Sequence, residues 1–317
     1  MTSGEALATI GRGVLPAIQF QKVLDLNPQI RHIELSNYGE VFLNPELRAI
    51  LRYAHENHVA LSIQNGANLN SVPGAMLEAV VRYRLRVLRC SIDGATQATY
   101  ARYRVGGSFE KVIENIEAIN RFKLKYKSEY PKMVWQFIVF GHNQGEIGAA
   151  RDQARRLGMD FSLKLSWDDN LSPVTENEAL RDLMGAISRK EYQLNHGAAY
   201  MHGICHQLWD SPQINWNGDV LGCSRNFWRT FGGNAFRDGL LKSLNEETIT
   251  YAREMLQGRQ PARQDIPCNT CDIYHAMKEN GKWLSHDAPR ALPHFKSLVR
   301  HYLPASFRRF EFSRRRL

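Results

Sequence analysis

RVLRCSIDGATQATYARYRVGGSFEKVIENIEAINRFKL, residues 86–124, holds the pattern that decides the fold. An apolar run of strand length, Arg86–Ser91, stops at Asp93-Gly94, and helical segments follow over about Gln97–Arg102 and Ser108–Leu124. The alternation extends both ways. Upstream lie a helix over Leu15–Leu26, a strand over Ile30–Ser36, a helix over Asn44–Glu56 with Pro45 in its first turn, a strand over Ala60–Gln64 and a helix over Pro73–Tyr83. Downstream come a strand over Met133–Phe140, a helix over Gln144–Leu157 and a strand over Asp160–Leu165. Strands alternating with helices predict parallel pairing through crossover helices, an α/β fold.

The polar and glycine-rich signals fall just after the strands: Asn37-Tyr38-Gly39-Glu40, Asn65-Gly66, Asp93-Gly94 and Gly141-His142-Asn143. Singly, such dipeptides only make turns. Repeated on one rim, at the strand ends that carry chemistry in barrel folds, they predict a ligand site. After about residue 166 the pattern changes. Residues 168–198 read as a polar loop plus helix, and residues 200–277 as short strands with aromatics, glycines and cysteines.

The chain of 317 residues is long enough for a large domain and a smaller one. No run is long and apolar enough for a membrane helix, and residues 1–12 lack the pattern of a signal peptide, so a cytoplasmic protein is expected. The net charge of +9 sits largely in the tail, where eight arginines and lysines from Arg290 onward face Glu311 alone. The basic balance therefore describes a tail, not a nucleic-acid-binding body. Residues 296–317 mix aromatics with arginine, a composition suited to a frayed end or to weak contact with an anionic membrane surface.

Five cysteines are too few for a disulfide scaffold. Cys205, Cys223, Cys268 and Cys271 form C-x17-C-x44-C-x2-C. Cys268-Asn-Thr-Cys271 is a metal knuckle, and the hairpin signal Asn217-Gly218 can bring Cys223 back toward Cys205. By count, four thiolates suit zinc or an iron–sulfur cluster equally. His202, His206 and His275 flank the set as lesser ligand candidates, and Trp209, Trp216, Phe227 and Trp228 are expected to pack around it. Cys90, inside LRCSID, reads as a core residue.

Over roughly residues 13–280 the sequence resembles the radical SAM proteins with a C-terminal SPASM-type domain. The matching segments are IELSNYGEVFLNPEL (33–47), LSIQNGANL (61–69), LRCSIDGATQATYARYRVGGSFEKVIENI (88–116), QFIVFGHNQGEI (136–147), CHQLWDSPQINWNGDVLGCSRNFW (205–228) and PCNTCDIY (267–274). The resemblance implies a partial (β/α)6 TIM-like barrel missing its first strand over 1–166, a connecting segment over 167–199, a small iron–sulfur domain with a β-hairpin over 200–280, and the basic tail over 281–317. Gly39 and Glu40 map near the methionyl amino group of S-adenosylmethionine, where a carboxylate accepts hydrogen bonds from an ammonium. Ser91 and Asp93 map to the ribose side, and Asn65, Gly141 and Asn143 to the adenine and substrate side. Val41 stands where many members carry proline.

The resemblance further implies modification of a peptide or small molecule through a 5′-deoxyadenosyl radical, with an electron donor such as a flavodoxin or ferredoxin. It also implies one auxiliary [4Fe–4S] cluster on Cys205, Cys223, Cys268 and Cys271. The family's CxxxCxxC loop, which holds the second cluster that binds S-adenosylmethionine, is absent: no cysteine precedes Cys90. A radical-forming enzyme is expected only of a longer chain, and the mapped rim residues favour such a truncation over a homologue that lost the chemistry. The rival readings are a non-catalytic iron–sulfur scaffold or electron carrier, and a zinc-binding interaction protein.

Overall fold

The computed structural model describes residues 4–197, 200 and 204–284. His202 and residues 285–317 of the basic tail lie outside the described residues. Two helices, α1 (Gly4–Ile10) and α2 (Ala17–Leu26), precede the first strand. There follow β1 (His32–Glu34), α3 (Leu47–Glu56), β2 (Ala60–Ala67), α4 (Gly74–Arg82), β3 (Val87–Ser91), α5 (Gln97–Tyr103), α6 (Phe109–Lys125), β4 (Lys132–Val139), α7 (Ile147–Arg156) and β5 (Asp160–Leu165). The strands form one open sheet in the order β1-β2-β3-β4-β5, and every pairing is parallel. This is an α/β fold consistent with a partial TIM-like barrel, and the sheet does not close.

Strand alternation sorts the two faces. Leu61 and Ile63 of β2, Leu88 and Cys90 of β3, and Met133, Trp135, Phe137 and Val139 of β4 enter the main core. There they meet Phe20, Leu24, Ile50, Leu51, Leu77, Val80, Ile116 and Ile119 from the helices. The alternate residues Ser62, Gln64, Arg89, Ser91, Gln136, Ser162 and Lys164 occupy the other face. A parallel sheet buried on both sides would be apolar throughout; on this one the second face mixes those polar groups with Val87, Val134 and Ile138.

Beyond β5 come α8 (Glu178–Met184) and α9 (Arg189–His196), capped by Asn177 and Ser188. The remainder contains α10 (Gln207–Asp210), α11 (Leu240–Ser243), α12 (Glu247–Leu256) and α13 (Asp272–Glu279). These elements build a second apolar cluster from Leu208, Val220, Phe231, Ile249, Met255, Leu256, Ile273 and Tyr274. The sequence predicts short strands here. Instead, the Asn217-Gly218 turn closes with the Asn215 N–H on the Asp219 carbonyl at 2.8 Å, and its flanks make only isolated bridges, Ile214 with Val220 and Asp219 with Asn234. The turn chemistry is present, but pairing ends after one step, and short helices supply the packing. No helix among the described residues is long and apolar enough to cross a membrane.

Candidate functional site

All four cysteines of the C-terminal set line one cavity, with Leu208, Asn226, Trp228, Phe231, Leu256, Pro267 and Tyr274. They arrive from three places. Cys205 precedes α10, Cys223 follows the Asn217-Gly218 turn, and Cys268 and Cys271 bracket a 3-10 turn begun by Pro267. That turn closes with the Cys271 N–H on the Cys268 carbonyl at 3.0 Å. Gly222 sets the approach of Cys223: its φ is +77°, and a Cβ there would collide with the Phe231 ring.

Backbone N–H groups are aimed at the sulfurs. Cys205 receives that of Gln207, Cys223 those of Arg225 and Asn226, and Cys271 those of Ile273 and Tyr274. Cys271 stands at the N-cap position of α13, where the Ile273 N–H is taken by Asp272 Oδ1 at 2.9 Å. Burial in apolar surroundings pushes all four thiols up, Cys205 to about 12. Arg225 lies near Cys205, Cys223 and Cys271 and is tied to both carboxylate oxygens of Asp272 at 2.8 Å. Four thiols in an apolar cavity stay protonated until a cation compensates them.

The donor set is all sulfur, the chemistry of an iron–sulfur or zinc site. Around one zinc ion, Zn–S bonds of about 2.3 Å draw all the sulfurs onto a single point. Among the described residues no group of three or more His, Cys, Asp or Glu side chains is arranged so that it could hold a metal ion.

The flanking residues divide. His206 turns to Asp210, Nδ1 to Oδ2 at 2.6 Å, and neither His206 nor His275 lines the cavity. Of the four aromatics expected around the cysteines, Trp228 alone lines it, donating from Nε1 to the Pro267 carbonyl at 3.3 Å. Trp209 packs in the second apolar cluster, and Phe227 meets the edges of Tyr38 and Trp228. Trp216 is a correction: its ring lies against residues 11–13, and its Nε1 donates to the Ile10 carbonyl at 2.8 Å. Cys90 is a core residue as read, fully buried, with its thiol pushed up to about 12.

The rim residues all lie at or just beyond the C-terminal strand ends. Gly39 turns at φ +84°. Glu40 accepts the Asn68 N–H at 2.8 Å and the Phe42 N–H at 3.3 Å, and burial raises its carboxyl. Asn65 donates from its side chain to the Asn37 carbonyl and from its backbone N–H to Ser36 Oγ, both at 2.9 Å. Gly66, at φ +99°, packs on Ser91, whose Oγ would collide with any Cβ. Gly141 donates to the Ser172 carbonyl at 2.6 Å.

Asp93, read as ribose-facing, is fully buried with both oxygens engaged. Arg104 donates to Oδ2 at 2.6 and 2.7 Å, and the Ile138 N–H to Oδ1 at 2.8 Å. Asn143 is likewise buried, donating to the Asp93 and Ile138 carbonyls at 3.0 Å and accepting the Phe140 N–H at 2.8 Å. These two side chains tie the rim together from within. Sequence reading passed over Arg104 and Glu34, whose carboxylate receives Ser36 Oγ, Ser62 Oγ and the Gln64 N–H at 2.5–2.7 Å. Apart from Ser36, two residues from Glu34, their partners come from another strand or from eleven residues away, so spacing carries little signal for either.

No family model matches the sequence, and no curated protein matches it. Among solved structures, the chain is similar to a crystal structure of Streptococcus suis SuiB, with a TM-score of 0.54 and 15% identity over 80% of this chain. The chain spans 64% of the length of that protein. The likeness is one of fold.

Proposed function

We propose that this chain is a radical SAM/SPASM-type protein that holds one auxiliary [4Fe–4S] cluster on Cys205, Cys223, Cys268 and Cys271. The observation that carries the reading is the convergence of four thiols, with backbone N–H groups aimed at their sulfurs, on one apolar cavity. In the activity proposed for the whole protein, S-adenosylmethionine and its own cluster supply a 5′-deoxyadenosyl radical for a peptide or small-molecule substrate, and the auxiliary cluster supplies electron transfer.

The chain's own residues perform the supporting steps. The N–H groups of residues 207, 225, 226, 273 and 274 stabilise negative charge on sulfur. Leu208, Phe231 and Leu256 exclude water, and Arg225, fixed by Asp272, adds a nearby cation. On the rim, Glu40 spends two acceptor positions on backbone N–H groups; a carboxylate has about four, which leaves room for an ammonium. Asp93 and Arg104 hold the loops against which a nucleoside would rest.

A second reading, a non-catalytic iron–sulfur scaffold or electron carrier, is favoured by Cys90: the fifth cysteine is sealed in the core, so this sequence supplies no three-cysteine set for a catalytic cluster. Anaerobic purification with iron, sulfide and zinc analysis tests the common part of both readings. Iron and sulfide in [4Fe–4S] proportion are expected, and zinc without sulfide would overturn it. Assay for 5′-deoxyadenosine bears on the second reading: none is expected from the 317-residue chain unaided, and its formation would refute the scaffold.

A further inference from the structure

We infer that the face of the sheet opposite its apolar core binds an oxyanion, a carboxylate or phosphate carried by the substrate, through Arg89 on β3 and Lys164 on β5. Identifying the ligand as substrate rests on the function proposed above; the anion site itself rests on the sheet alone.

Leu88 and Cys90 flank Arg89 and point into the core, as Leu163 and Leu165 on either side of Lys164 pack in apolar clusters, so both cations stand on the opposite face. Among the described residues, neither has a hydrogen bond or an ion pair, and Arg89 Nε is buried without a partner. Between them on β4 is Gln136, in register with Ser91 on one side and Ser162 on the other. It is 3% exposed, and its Oε1 has no partner. Buried polar groups of folded proteins are almost always satisfied, and an unsatisfied set on one face marks a place where something else supplies the partners.

The acids nearby lend their field but no hydrogen bond: Glu34 draws the Arg89 guanidinium up and Asp93 the Lys164 amine, while the oxygens of Glu34 are engaged by Ser36, Ser62 and Gln64 and those of Asp93 by Arg104 and the Ile138 N–H. A third cation strengthens the field. Arg189 is fixed by the Leu165 and Ser166 carbonyls at 3.1 and 2.9 Å and stacks on Trp167 at 3.5 Å. Burial, with Arg89 and Arg189 close by, pushes the Lys164 amine down to about 8. An oxyanion seated between Arg89 and Lys164 removes that repulsion, and an N–H of the same ligand would satisfy Gln136 Oε1.

The test is calorimetric titration of the full chain with two probes, an N-acetylated dipeptide bearing a free carboxylate and inorganic phosphate. Whichever source is correct binds, and the dipeptide amide does not. Arg89→Gln and Lys164→Met each weaken binding by about tenfold or more. In the unmutated chain the bound probe protects Lys164 from acetylation, read by mass spectrometry, so the inference remains testable should either variant fail to fold. Absence of binding by both probes, or binding and acetylation indifferent to these residues, would overturn it. Displacement by S-adenosylhomocysteine would overturn the substrate assignment by giving the site to the cofactor's own carboxylate. Iron and sulfide content is unchanged in both variants, so failure here is distinguishable from failure of the cluster reading.

Discussion

The hydroxyl of Tyr38 donates to the main-chain carbonyl of Ser224 at 2.9 Å, across 186 positions of sequence. Tyr38 belongs to the loop after β1, and Ser224 follows Cys223. The Tyr38 ring also meets Phe227 edge-on at 6.2 Å. One side chain thus fastens the rim of the sheet to the loop that presents a cysteine. Burial, with Cys223 beside it, raises the phenol above its ordinary range, so it remains a donor throughout the physiological span.

Tyr38→Phe keeps the ring contact and deletes the hydrogen bond. It is expected to lower unfolding free energy by about 1 kcal/mol in urea titration. Tyr38→Ala costs more, and in a cluster-loaded protein also speeds cluster loss in air, followed by the decay of visible absorbance. Equal stability of all three proteins would show the contact to be idle.

Lys164 gives a pH signature. Its amine titrates at about 8 when folded and in the ordinary lysine range when unfolded. Between those values the unfolded chain binds more protons, so this residue's contribution to stability rises with pH. Lys164→Met is therefore expected to be more stable than the parent at neutral pH, with the advantage shrinking as pH climbs through 8 toward the unfolded value. Urea midpoints measured across that range decide it; an advantage constant with pH contradicts the assignment.

Cysteine accessibility separates the core thiol from the cavity thiols. Cys90 is buried at the sheet–helix interface with its thiol at about 12, so alkylation mapped by mass spectrometry should leave it unlabelled in the native protein and label it after unfolding. Loading with iron and sulfide should protect Cys205, Cys223, Cys268 and Cys271 together, and substitution of any one by serine should lower iron content.

Gly66→Ala tests the rim geometry. The residue needs φ +99° and has Ser91 Oγ where a Cβ would stand. A loss of about 1–3 kcal/mol is expected on thermal or urea unfolding. Gly39→Ala meets no atom within 4 Å, so backbone conformation alone sets its smaller cost.

Arg104→Met should cost about 3–5 kcal/mol, because it leaves the fully buried Asp93 carboxylate uncompensated. Arg104→Met combined with Asp93→Leu should recover part of the loss. A double variant as unstable as the sum of its parts would mean the two residues act separately.

The strands were legible because period-2 apolar patterning and βα alternation are local. Ile30–Ser36 shrinks to His32–Glu34 because β1 pairs with β2 alone. The helices of the first part sit within a few residues of their expected bounds for the same reason. Residues 204–284 defeated such reading: their short helices follow no long amphipathic stripe, and the Asn217-Gly218 turn leads into single bridges. That the four cysteines share one cavity was legible through spacing. The engagement of Asp93 by Arg104, the saturation of Glu34 and the departure of Trp216 toward Ile10 were not, since each depends on partners that only the folded chain brings near.

Cys271 stands at the start of α13 and also lines the cavity, and this bears on the order of biogenesis. Cys268 and Cys271 are neighbours in one local turn, while Cys205 and Cys223 reach the same cavity only after the intervening chain has collapsed. An inorganic group of the kind proposed would therefore be inserted late, after residue 271 has been synthesised and residues 205–271 have come together.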